Sequence, residues 1–81
     1  MSKSFSLPIR ESPAIVLERA RRTAKDLNAT FQGSHTTGIF SGSGIIGHYR
    51  MTDKNIDITI TEKPFITPWV LVEYRVKQFF T

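Results

Sequence analysis

The chain has no cysteine. That excludes a disulfide framework and any thiolate-held metal or cluster, and it fits a reducing compartment. Long apolar runs are also missing: the amino end, M-S-K-S-F-S-L-P-I-R, holds one lysine and no stretch of signal-peptide length, and no later window approaches ~20 uninterrupted apolar residues. Neither a secretory leader nor a membrane-spanning helix is expected, and the cytoplasm is the default location. Acidic groups are the scarcer charge, seven Asp and Glu against eleven Lys and Arg. The net charge of +4 attracts anionic surfaces over about a Debye length. Its densest part is Arg19, Arg21, Arg22 and Lys25, an anion-contacting candidate for nucleic acid or simply the wet side of a helix. The two histidines, His35 and His48, have no H-x-x-x-H or comparable spacing, and no serine sits in a G-x-S-x-G context. No catalytic, cofactor or metal set emerges, and the chain reads as no enzyme.

What is present fits one domain over residues 1–81, long enough to bury about 60% of the surface its unfolded chain exposes. Phe5, Leu7 and Ile9 alternate with polar residues and Pro8, the pattern of a short edge strand. Ser12-Pro13 then opens a helix, with serine as N-cap and proline at the first helical position. Val16, Leu17, Ala20, Ala24 and Leu27 form its apolar side, and it ends near Asn28. Beyond Asn28 the apolar period changes from 3.6 to 2. Residues 29–32, 36–40, 44–51 and 55–62 are rich in Thr, Ile, Phe and Tyr and are separated by G-S-H, S-G-S and T-D-K, as in consecutive antiparallel strands. Phe40, Ile45, Tyr49, Ile56, Ile58 and Ile60 are expected on the inner face, with Asp57 and Thr59 outside.

The last segment fits two patterns. Val72 to Lys77 alternates like a strand, whereas Trp69, Val72, Val76, Phe79 and Phe80 make a helical stripe. Thr67-Pro68 repeats the cap-and-proline start of Ser12-Pro13, and Glu73 stands four residues before Lys77, so a helix over residues 68–80 is the better reading. The expected fold is α+β, a small antiparallel sheet in the order β-α-β-β-β-β-α with two helices packed on one face. One helix side cannot turn Trp69, Leu71, Tyr74, Phe79 and Phe80 all toward one sheet. These five are the candidate partner-binding residues. A second copy of the chain is the commonest cover for such a surplus; a hydrophobic polymer, a lipid-like surface or another protein's groove are alternatives.

Gly42, Gly44 and Gly47 have the spacing G-x-G-x-x-G. A dinucleotide site needs these glycines between a strand and a helix N-terminus, but here Gly47 runs on into H-Y-R-M and another strand. The glycines are expected to shape a hairpin, with Gly42 and Gly44 at positive φ and Gly47 at a bulge or beneath a large packed group such as Trp69.

The motifs A-R-R-x-A (residues 20–24), F-x-x-x-G-x-x-G (Phe40, Gly44, Gly47), the alternating isoleucines, and P-F before V-E-x-x-V (residues 72–76) follow one another along nearly the whole chain. In this order they resemble the polyhydroxyalkanoic acid system proteins, although that pattern carries a large apolar residue where this chain has Gly38. The resemblance implies a cytoplasmic, non-enzymatic accessory protein near polyester granules or their synthetic machinery, and no catalytic residues. A basic nucleic-acid-binding or regulatory module using Arg19, Arg21, Arg22 and Lys25 is the competing expectation. No aromatic interleaves with those arginines, and Phe31 is the only nearby residue fit for base stacking.

Overall fold

The computed structural model describes residues 2–80. Five strands form a single antiparallel sheet: β1 (Lys3–Pro8), β2 (Thr30–Gly33), β3 (Thr37–Gly42), β4 (Ile45–Met51) and β5 (Asn55–Glu62). Helix α1 (Pro13–Asp26) follows β1, and α2 (Trp69–Phe80) follows β5. Across the sheet the order is β1-β5-β4-β3-β2. Strands β2 to β5 meander, and the crossover through α1 brings β1 back to the far edge, against β5. Pro8, which has no N–H for a ladder, ends this edge strand as the sequence requires.

Alternation decides which face is dry. In β4 every odd position from Ile45 to Met51 is buried and every even one exposed. Ile56, Ile58 and Ile60 of β5 are wholly buried, while Asp57 is exposed. Both helices cover this face, and Val16, Ala20, Ala24, Val72, Val76, Phe79 and Phe80 complete one core with the sheet. The opposite face carries Ser4, Ser6, His48, Arg50 and Asp57 to solvent.

The ends of α1 follow from local chemistry. Ser12 occupies the N-cap position, and its carbonyl accepts from the amides of Ile15 and Val16, but its hydroxyl makes no capping bond. At the other end Asn28 takes a left-handed φ of 57°. The amide of Asn28 then bonds the Lys25 carbonyl at 3.2 Å and that of Ala29 bonds Ala24 at 2.7 Å, a Schellman closure. The helix therefore stops one residue before the last member of the apolar stripe, and Leu27, expected in the core, is 66% exposed.

Helix α2 begins one residue later than its sequence motif indicates. The amide of Val72 bonds the carbonyl of Pro68 at 3.2 Å. Pro68 thus fills the N-cap position that Ser12 fills in α1, and Thr67-Pro68 does not repeat that start in register.

The glycine motif lies across the β3–β4 hairpin, between two strands. Gly42 pairs with Ile45, leaving a two-residue loop of Ser43 (φ 53°) and Gly44 (φ 81°). This is the left-handed pair that matches the twist of a tight hairpin. Positive φ falls on Ser43 and Gly44, and Gly42 remains in the strand, contrary to the expectation for Gly42. Gly47 sits at a register shift between β4 and β5, and a β-carbon there would stand 2.5 Å from Cζ of Phe40. The group packed on its bare backbone is Phe40, and not Trp69.

Candidate functional site

An apolar groove of about 570 Å³ lies where α2, the C-terminal end of α1 and the β3–β4 hairpin meet. Its size falls within the range of small-ligand sites. Phe40, Ile45, Val76 and Phe79 give it a buried floor. Leu27, Leu71 and Tyr74 stand along its sides at 66%, 39% and 57% exposure. The Schellman closure at Asn28 places both Leu27 and Ala29 here, since it turns the chain out of α1 straight into β2. Thr23, Ser41, Ser43 and Gln78 supply polar groups, and among the described residues Arg75 is the one charged residue of the lining. The amide of Gln78 donates to the Tyr74 hydroxyl at 3.0 Å, which ties the tyrosine to the next turn of α2.

Of the five partner-binding candidates, Leu71, Tyr74 and Phe79 meet in this groove, Phe79 as floor. Phe80 does not. It is 1% exposed and packs against Phe40, Tyr49, Phe31 and Phe79, so it belongs to the core. Phe79, at 9% exposure, is likewise an interior side chain in the monomer. Trp69 lies outside the groove lining and is half-buried. The ammonium groups of Lys63 and Lys3 stand 5.4 Å and 5.9 Å from its ring centre, a cation–π arrangement on both counts. Lys3 also pairs with Glu73 at 3.0 Å.

A second depression, about 540 Å³, lies on the open sheet face among Ile39, His48, Arg50, Asp57 and Thr59. Asp57 there accepts a hydrogen bond from Ser6. Among the described residues no three His, Asp or Glu side chains come close enough together to hold a metal ion.

Two of the four basic residues of α1 have partners. Arg19 pairs with Glu11, and Arg21 donates to the carbonyl of Gly33 at 2.9 Å. Phe31, the base-stacking candidate, is stacked on Tyr49 with ring centres 5.4 Å apart and on Phe79 at 5.8 Å. Its ring is thus engaged with the aromatic side chains of the core. Tyr49 has its pKa raised by burial, with the Arg21 guanidinium pulling it partly back, and its hydroxyl donates to the Ser34 carbonyl at 2.6 Å.

Sequence reasoning singled out Leu71 and Tyr74 but missed Leu27, Ala29, Ser41 and Ser43. The only signal for these four was the position of the helix end and of the hairpin loop, both set by left-handed residues. No protein-family model, curated protein sequence or solved structure matches this chain.

Proposed function

We propose that this protein is a non-enzymatic binding domain that holds an aliphatic polymer or its chain end in the groove beside α2. In the setting its motifs suggest, it is an accessory protein of polyhydroxyalkanoate storage that contacts the polyester directly, in the cytoplasm. The observation that carries the reading is the placement of Leu71 and Tyr74, two exposed apolar side chains, beside a groove floored by Phe40, Ile45, Val76 and Phe79. Each large apolar side chain withdrawn from water contributes about 1.5 to 3 kcal/mol, so covering this set is worth several kcal/mol to any apolar occupant. Polyester of short hydroxyacids offers such an occupant: flexible, aliphatic, and with ester oxygens that the rim hydroxyls can meet.

The experiment is co-sedimentation of the purified chain with polyhydroxybutyrate particles, comparing the parent with Leu71→Ser/Tyr74→Ser. Saturable binding that the double variant lowers at least tenfold supports the reading. Equal binding of both chains removes the groove from the interaction. Absence of binding, together with concentration-dependent dimerisation that the double variant abolishes, assigns the groove to a second copy instead.

A further inference from the structure

The groove is not uniformly apolar. Among the described residues Arg75 is the sole charge in the lining and no carboxylate belongs to it, while Thr23, Ser41 and Ser43 add hydroxyls. Among the described residues Arg75 takes part in no ion pair and no hydrogen bond, and neither do the side chains of these three residues. Other cations do have partners, Arg19 on Glu11, Lys3 on Glu73 and Arg21 on Gly33, and of the unpaired ones Arg75 is the one that lines this groove. An unpaired guanidinium with free hydroxyls beside an apolar trough offers one end to an anion and the rest to a hydrocarbon chain.

We infer that the groove binds an amphipathic carboxylate, a medium-length aliphatic chain lying over Phe40, Val76 and Phe79 with its carboxylate at Arg75. The inference rests on the groove being the binding site and adds the chemical class of its ligand. Arg suits this role because its planar fork of donors matches the two carboxylate oxygens, and because it stays charged at any working pH. The balance of the trough is also right: a dianionic head would find one cation only, and a neutral head would leave that cation without a partner. A free fatty acid and the acid end of an aliphatic oligoester share this chemistry.

The test is an NMR titration of the intact chain with hexanoate, octanoate and decanoate, set beside decanol and a hydroxybutyrate oligomer with a free acid end. Shifts are expected at Phe40, Ser41, Ser43, Arg75 and Phe79. Affinity should rise roughly threefold to fourfold per added methylene, the transfer gain of one buried methylene, until the tail outgrows the groove. Decanoate should bind at least tenfold tighter than decanol. Arg75→Gln, at an exposed position where the fold should be retained, should erase that difference and leave decanol unaffected. Decanol binding as tightly as decanoate, or decanoate indifferent to Arg75→Gln, overturns the carboxylate assignment while leaving an apolar groove in place. Failure of decanoate and decanol alike overturns the groove reading with it. Tighter binding of the oligomer than of any free acid identifies the polymer end as the source.

Discussion

The hydroxyl of Tyr49 donates a 2.6 Å hydrogen bond to the carbonyl of Ser34, so the middle strand of the sheet is bonded to the turn that leads from β2 into β3. The ring that carries this hydroxyl also crosses the bare backbone of Gly38, its neighbour on β3, where a β-carbon would collide with it. The chain thus lays Tyr49 over Gly38, a cross-strand arrangement in which the aromatic covers what glycine leaves open.

Tyr49→Phe should cost about 1 kcal/mol near neutral pH, the net worth of one hydrogen bond whose acceptor is then left partly exposed. The pH dependence has a definite sign. Burial raises the tyrosine pKa above its ordinary value near 10, so the native state holds the phenolic proton more tightly than the unfolded chain. The stability linked to it is full below that ordinary value and is lost as pH climbs through the raised one. Urea unfolding of parent and variant at about pH 8 and about pH 11 should show the gap closing at the higher pH; a constant gap refutes the linkage.

Gly47→Ala should destabilise by about 1 to 3 kcal/mol, an overpacking cost, because the new methyl meets the Phe40 ring and Cδ1 of Ile60, not solvent. The midpoint of chemical denaturation reads this directly. A neutral result shows that the bulge between Ile46 and Gly47 can absorb the methyl.

Ser43→Asn should stabilise by a few tenths of a kcal/mol, since asparagine tolerates the left-handed conformation that Ser43 is made to adopt before Gly44. Thermal unfolding measures it, and a drop in midpoint contradicts the assigned turn.

Adding ATP or NAD should leave the amides of residues 42–47 unshifted in NMR spectra, because the hairpin offers no helix N-terminus to a phosphate. Specific, saturable shifts confined to this loop refute that.

Phe80→Ala should cost about 3 to 5 kcal/mol, most of the stability of a domain this small, and leave a largely unfolded chain by circular dichroism. Leu71→Ser/Tyr74→Ser should cost far less, because both side chains already stand partly in water. Similar losses in the two variants would mean that α2 presents a different side to the sheet.

Much of this architecture is legible in the sequence because alternation and helical period are strong signals. The isoleucines of β5 and the odd positions of β4 point to one face in pattern and do so in space. The stripe of Trp69, Val72, Val76, Phe79 and Phe80 likewise marks the side that α2 turns to the sheet, but the pattern did not show that Phe79 and Phe80 are used up by packing against Phe31, Phe40 and Tyr49 and so are not surplus surface. The groove was hidden for a related reason. Its walls come from three segments whose meeting depends on Asn28 and Ser43 entering left-handed backbone, which neither residue type requires.

The pairing of β1 with β5 has a consequence for solubility. Asn55–Glu62 carries isoleucine at every second position, β-branched side chains throughout its centre and no proline, the composition of a segment that self-assembles when its hydrogen-bonding edge is open. In the folded chain that edge is occupied by β1, register by register from Lys3 opposite Ile60 to Pro8 opposite Asn55. What the sheet then offers outward is a strand with a lysine near one end, a proline at the other and serines between. The first strand is in effect a gatekeeper: it takes the position that another copy's β5 would otherwise fill and presents a poorer template in its place.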